Sequence, residues 1–185
     1  PFAIIEYLRA MVDAGLLRET GRDATGRRYR FEHALAQEVL YQNLLVSRRV
    51  ELHGRAGTGL ERACGGAPER LEDLEALGHH FSLSADRARG ARYLAAAGNW
   101  ARGIYANDDA VRHFERALVT LVECRGSERD ILDVRERLGD LLGPMGRRAD
   151  ALAHYEGARA GRASAEDCPA QARLLRKIGA LRWEA

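Results

Sequence analysis

The sequence predicts a mainly α-helical fold with one short β-hairpin near its start. Only four prolines occur in 185 residues, and most of the chain places apolar residues at intervals of three and four, the period of an α-helix. A stretch near the middle recurs 41 residues later, which indicates a helical repeat. Apolar residues make up 46% of the chain, enough to bury a core, so disorder is not expected.

Charge and composition exclude several classes of protein. The 29 basic and 27 acidic residues leave a formal charge of +2, which does not demand a nucleic-acid partner. Lys177 is the only lysine, so the residue most used for Schiff-base and phosphate-loop chemistry is almost absent. No apolar run approaches the roughly 20 residues that cross a bilayer, and we expect no membrane contact.

Cysteine use and the first residue bear on cellular location. The three cysteines, at positions 64, 124 and 168, lie far apart and form no Cys-x-x-Cys pair. An odd number of cysteines without a secretion signal favours reduced thiols in the cytoplasm. The chain starts at Pro1 without a methionine or a targeting segment, and we therefore expect it to be part of a longer protein.

Residues 1–46 predict a helix, a β-hairpin and the start of a second helix. Apolar residues within positions 4–12 form one helical stripe, which Gly15 ends as a C-terminal cap. Two short alternating runs, Leu16–Glu19 and Arg28–Phe31, flank a glycine-containing turn, so the hairpin covers about residues 16–31. A helix followed by a two-stranded ribbon is typical of the rear half of a winged-helix unit.

Further helical patterns fill the chain up to residue 104. They cover about residues 33–45, 48–64, 71–86 and 88–104, with a break at Gly65–Pro68. We assign residues 47–90 to a helical linker region and residues 91–185 to helical repeats.

The repeat is the most informative internal feature. Ala110–Ala117 and Ala151–Ala158 share an alanine, a histidine, an aromatic residue, a glutamate and a second alanine. Gly98 and Gly139 precede these segments at the same offset of 41, and Gly179 follows 40 residues later. A glycine inside a helix costs about 1 kcal/mol relative to alanine, so its recurrence indicates close helix packing with the aromatic ring beside it.

This spacing resembles the tetratricopeptide repeat in a degenerate form. The matching positions are Gly98, Ala110, Phe114 and Ala117 in one copy and Gly139, Ala151, Tyr155 and Ala158 in the next. Leu94 and Arg135 stand where the family has an aromatic residue before the glycine, and the interval exceeds its usual length of about 34 residues. The resemblance implies an α-α superhelix, a solenoid with a concave binding surface, over residues 91–185.

The upstream half carries a second resemblance, in the stretches Leu16–Glu19, Tyr29–Tyr41 and Arg48–His53. They are similar to the winged-helix segment of bacterial signal-transduction ATPases of the STAND class. In that class an output domain, such as a class III adenylate or guanylate cyclase, accompanies an AAA-type ATPase. The winged helix and tetratricopeptide-like repeats follow the ATPase.

By that resemblance the chain is a non-catalytic regulatory and protein-interaction arm, without a cofactor of its own. Its expected partner is the ATPase or output domain of its own protein, or a regulatory protein. Whether the parent is an enzyme, for example an ATPase fused to a nucleotide cyclase, stays open. Self-association is a further hypothesis, because a stack of hairpins exposes an apolar face at its end. The residues predicted for partner binding are polar positions near the inner face of the repeats: Asn99, Arg102, Asn107, Arg135 and Arg147.

A DNA-binding transcription regulator is the alternative. Basic residues on a wing can lie along a nucleic-acid backbone, and those on this wing are Arg22, Arg27, Arg28 and Arg30. Glu19, Asp23 and Glu32 dilute that charge, and the helix that would enter a groove, residues 2–14, offers Arg9 as its only basic side chain. Contact with the ATPase domain is therefore the favoured role of the wing.

Catalytic, nucleotide and metal sites are not predicted. Glycines 54, 57 and 59 have the spacing of a phosphate loop, but Leu60 and Glu61 stand where that loop needs a lysine and a hydroxyl. His79 and His80, with Cys64 nearby in sequence, suggest zinc. Adjacent helical residues point about 100° apart, however, and the spacing of structural zinc sites is absent.

Overall fold

Nine α-helices and one β-hairpin form the part of the chain that the computed structural model describes, residues 2–23, 26–164 and 168–183. The strands are β1 (Leu17–Asp23) and β2 (Gly26–Phe31). The helices are α1 (Phe2–Asp13), α2 (Ala34–Gln42), α3 (Val46–Ala63), α4 (Leu71–Ser82), α5 (Arg87–Gly103), α6 (Asn107–Glu123), α7 (Glu128–Leu142), α8 (Arg148–Ser164) and α9 (Cys168–Trp183). The prediction of a mainly helical chain with a short hairpin near its start is confirmed. Among the described helices, none combines the length and the apolar character needed to traverse a bilayer.

The chain divides into two units, Pro1–Arg49 and Val50–Ala185, with the boundary inside α3. In the first unit α1 ends at a left-handed glycine, because Gly15 has a φ of 68°. Its N–H donates to the carbonyl of Val12 at 2.9 Å, which closes the last turn of the helix. Glycine adopts this conformation without the steric cost that a side chain would bring.

The hairpin has longer strands than the sequence predicts. Leu17 pairs with Phe31 in antiparallel register, and the pairing continues as far as Asp23 and Gly26. The turn expected over residues 20–27 is therefore largely strand, and Ala24 and Thr25 lie outside the described residues. The register shifts at Gly21, whose φ of 153° suits a β-bulge. Simple alternation of residue types does not reveal such a bulge.

The helices of the second unit pack against their neighbours in sequence, from α4 through α9. The main core lies among α5, α6 and α7, where Leu94, Phe114 and Leu138 are at most 1% exposed. A smaller cluster between α8 and α9 contains Tyr155 and Leu174. Each helical hairpin thus buries its apolar face against the next one.

Close approach within two of the hairpins depends on a glycine that faces an aromatic ring. A methyl group on Gly98 of α5 would lie 2.9 Å from the ring of Phe114 of α6. Gly139 of α7 faces Tyr155 of α8 in the same way, at 2.5 Å. The alanines that repeat around these rings are fully buried: Ala110, Ala117, Ala151 and Ala158. The packing inferred from the repeated glycines is confirmed.

The structure adds an earlier copy of this contact between α3 and α4, within the segment assigned to a helical linker. A methyl group on Gly57 would lie 3.1 Å from the ring of Phe81, and Gly57 precedes Gly98 by 41 residues. Phe81 follows His80, just as Phe114 and Tyr155 each follow a histidine. The spacing from glycine to aromatic residue is 24 here but 16 in the later copies, so a single repeat offset does not detect it.

Candidate functional site

The first unit exposes most of its large apolar side chains. Among its described residues, Leu17 is the one hydrophobic side chain that is buried, at 8% exposure. The exposed ones lie on α1, just before β1, on α2 and around the start of α3: Ile4, Ile5, Tyr7, Leu16, Leu35, Val39, Leu40, Leu45 and Val46. Three of them, Tyr7, Leu35 and Leu45, are more than 70% exposed. Large apolar side chains exposed in this number are typical of an interaction site in a folded protein.

A groove of about 400 Å³ lies between α1 and the hairpin of this unit. Its lining residues are Ile5, Leu8, Arg9, Arg27 and Tyr29. The groove is largely apolar, and the hydrophobic side chains that line it are only partly buried.

Carboxylates partly neutralise the basic residues of the wing. Arg27 Nη1 lies 3.3 Å from Glu19 Oε2 on the facing strand. Arg28 and Arg30 are exposed, and the side chain of Arg22 lies outside the described residues. The wing therefore presents a mixture of charges rather than a continuous basic surface.

The five residues predicted for partner binding do not converge on one place. Asn99 lines a groove between α5 and α7, whereas Arg102 is exposed near the end of α5 and Asn107 begins α6. Arg135 packs against Gly157 of α8. Arg147, just before α8, bonds to Asp150 at 2.8 Å. Their role in binding stays a prediction, and several of them already have intramolecular contacts.

Alternate helices of the second unit are joined by a repeated polar contact. Arg137 of α7 donates to Asn99 of α5 at 2.5 Å, and Lys177 of α9 donates to Asp140 of α7 at 2.6 Å. In both cases the acceptor directly follows a repeat glycine and the donor precedes the next repeat glycine by two residues. The repeat therefore encodes an interhelical hydrogen bond as well as the glycine–aromatic contact.

Glu136 of α7 is the centre of the strongest charge cluster. Its side chain is 10% exposed and accepts two hydrogen bonds from Arg173, at 2.8 and 2.9 Å, and one from Lys177 at 2.9 Å. Burial alone would raise the pKa of this carboxyl, but the bonds from Arg173 and Lys177 outweigh burial and hold the pKa at about 2. The cluster binds α9 to α7.

This cluster is hard to predict from the sequence because its members lie 37 and 41 residues apart. A signal was available, since Asp133, Glu136 and Asp140 recur at helical spacing on α7. Applying the 40-residue offset would have placed the basic residues of α9 opposite them.

Replacing Tyr155 with phenylalanine tests the neighbouring polar contact. The Tyr155 hydroxyl donates to Asp140 at 2.7 Å, and burial together with this bond raises the tyrosine pKa. We expect a loss of about 1 kcal/mol in the free energy of unfolding, because Asp140 retains its bond from Lys177. Urea unfolding measures this loss. Tyr105→Phe is the control, since Tyr105 is 87% exposed, and an equal loss in both variants would contradict the assignment.

The remaining sequence candidates have clear positions. Gly54, Gly57 and Gly59 all lie within α3, so their backbone is helical rather than a loop. His79 and His80 lie in the last turn of α4, and their rings approach each other to 5.3 Å between centroids. The length and rotation of the side chains bring the two rings together despite the angle of about 100° between adjacent helical residues.

Comparison with known proteins identifies no family for this chain. No family model matches the sequence, and no curated protein matches it. The crystal structure of BtubC (BKLC) from P. vanneervenii is similar over 77% of this chain and 67% of that chain, at 15% sequence identity and a TM-score of 0.48. This degree of likeness carries no information on family or function.

Proposed function

We propose that the chain is a non-catalytic regulatory and protein-interaction arm of a multidomain, cytoplasmic, bacterial signal-transduction ATPase of the STAND class. In this proposal the first unit is the rear half of a winged helix that docks on the ATPase domain. The second unit is a tetratricopeptide-like superhelix that receives a ligand or protein signal. The controlled output is an attached nucleotide cyclase or another output domain.

The exposed apolar surface of the first unit carries the proposal. A unit of some 49 residues is small for independent folding, and its described residues bury one large hydrophobic side chain. Docking of α1 and α2 on another protein domain would remove Tyr7, Leu35 and Val39 from water at a gain of about 25 cal/mol per Å² of apolar surface. The ATPase is the domain that the resemblance to STAND proteins favours as this partner.

The repeated hairpins of the second unit support its proposed role as a tetratricopeptide-like superhelix. Three glycine–aromatic contacts recur along α3–α8, as in the stacked helical hairpins of tetratricopeptide proteins. Such stacks build extended surfaces for binding other proteins.

The test measures binding between the 185-residue chain and the separately produced ATPase domain of its parent protein, together with the rate of ATP hydrolysis. We expect binding that slows hydrolysis. Leu35→Asp should weaken the binding by about tenfold or more, because the substitution places a charge in the apolar contact. Leu175→Asp is the matched control, since Leu175 of α9 is also exposed, at 53%, but belongs to the second unit.

Two outcomes would contradict the proposal. One is equal weakening by both variants, because the binding surface would then not be the apolar face of α1 and α2. The other is absence of binding together with salt-dependent binding to duplex DNA that Arg28→Ala abolishes. That result would favour the DNA-binding alternative.

A further inference from the structure

Three histidines meet between α3 and α4, outside every surface considered so far. His53 belongs to α3, and His79 and His80 are adjacent in α4. The ring centroids lie 5.6 Å apart for His53 and His79, and 5.2 Å apart for His53 and His80. Each residue offers one ligand atom, and these three atoms lie within 4.8 Å of one another.

The distance between two of the rings suits metal coordination. Nδ1 of His53 and Nδ1 of His80 are 3.0 Å apart. Two nitrogens bound tetrahedrally at about 2.0 Å from a zinc ion are separated by about 3.3 Å. At 3.0 Å at least one of the two Nδ1 atoms is without a proton, so its lone pair points toward the other ring. A small outward movement of the rings would bring both lone pairs to one ion.

The packing of the two helices fixes this geometry. His53 lies one helical turn before Gly57, where α3 approaches the ring of Phe81. Phe81 in turn directly follows His80 on α4. The glycine–aromatic contact therefore joins α3 to α4 close in sequence to His53 and His80. His79 is exposed, so its ring has room to turn toward the other two.

We propose that His53, His79 and His80 form a binding site for a first-row divalent transition-metal ion of the zinc type, which cross-links α3 to α4. Imidazole is a preferred ligand of zinc, copper and nickel but not of magnesium or calcium. Three protein ligands leave one tetrahedral position for water or for a side chain of a partner.

The experiment uses the purified 185-residue chain without a histidine tag, first stripped of metal with a chelator. Zn²⁺ is added in a calorimetric titration, and the unfolding temperature is recorded at several Zn²⁺ concentrations. We expect one ion per chain and an unfolding temperature that rises with the Zn²⁺ concentration. Co²⁺ should give the visible absorption of a tetrahedral site, and an excess of Mg²⁺ should not compete.

Single substitutions show whether these three residues are the ligands. His79→Gln should weaken Zn²⁺ binding by about tenfold or more, and because the residue is exposed, the variant should fold without metal. His53→Gln should weaken Zn²⁺ binding to a similar extent. His33→Gln is the control, since His33 is an exposed histidine at the start of α2. The proposal fails if Zn²⁺ does not bind, or if His79→Gln and His33→Gln bind it as the unchanged chain does.

A histidine–histidine hydrogen bond is the competing explanation of the short Nδ1–Nδ1 distance. If that bond is the explanation, His53→Gln should destabilise the chain in the absence of metal, and Zn²⁺ should not change the unfolding temperature of the unchanged chain. A thermal scan of the stripped proteins with and without Zn²⁺ separates the two, and a response to Zn²⁺ confined to chains with all three histidines supports the metal site.

Discussion

Glu136→Gln should lower the free energy of unfolding by about 2 to 3 kcal/mol near pH 7. The substitution keeps the size of the side chain but removes the charge that Arg173 and Lys177 neutralise. The loss follows from the pKa of about 2 that Glu136 has in the folded chain, against about 4.5 for an unperturbed glutamate. Urea unfolding of the two proteins measures the difference.

The same contribution should depend on pH in a defined direction. Because folding lowers the pKa of Glu136, its stabilisation is complete above about pH 4.5 and is lost as the pH falls toward about 2. The gap in stability between the unchanged chain and Glu136→Gln should therefore narrow below about pH 5. A gap that is constant from pH 7 to pH 3 would show that packing, not charge, is responsible.

A matched carboxylate provides the control. Glu156 on α8 accepts a bond from Arg182 at 2.7 Å, but its side chain is 47% exposed. Exposed ion pairs contribute at most about 1 kcal/mol. Glu156→Gln should accordingly change the free energy of unfolding by less than half as much as Glu136→Gln.

Gly90→Ala should cost about 3 kcal/mol in the free energy of unfolding. A methyl group on Gly90 of α5 would lie 2.3 Å from the backbone nitrogen of Ser82 and 2.7 Å from the carbonyl carbon of Phe81. Backbone atoms cannot move aside as the end of a side chain can, so α5 and α4 would have to separate. The better helix propensity of alanine, about 1 kcal/mol, offsets only part of this cost.

Gly179→Ala is the control for Gly90→Ala. Gly179 lies within α9, and a methyl group there would meet no atom within 4 Å. The variant should gain about 0.5 to 1 kcal/mol from helix propensity alone. Thermal and urea unfolding of both variants measure the two effects. A Gly90→Ala variant as stable as the unchanged chain would show that α4 and α5 are not packed as described.

Helix positions were largely predictable from the sequence because apolar spacing and glycines act locally. The ends of α3 and α5 lie within two residues of the expected ones. The predicted glycine cap at Gly15 is also present. The α3–α4 copy of the repeat escaped detection because the chain between Gly57 and Phe81 is longer. The extra residues between Gly57 and Phe81 give the glycine and the aromatic residue different offsets from the later copies. The contact between the glycine and the ring is nevertheless kept.

The site residues were less predictable because they depend on which helix faces meet. The polarity of Asn99 favours a role in binding, yet this side chain already accepts a hydrogen bond from Arg137. The sequence places His79 and His80 side by side, but the third member of their cluster, His53, lies on another helix. Polarity and local geometry identify candidate residues, but a cluster requires knowledge of the packing between helices.

The packing of each helix against its neighbours in sequence has a consequence for how the second unit folds. Nearly all of its helix pairs join segments that are close along the chain, so the loops that close during folding are short and their entropy cost is small. Low contact order of this kind goes with rapid folding. On the ribosome, each hairpin that follows α3–α4 can pack on the preceding one as it emerges, before α9 has been synthesised.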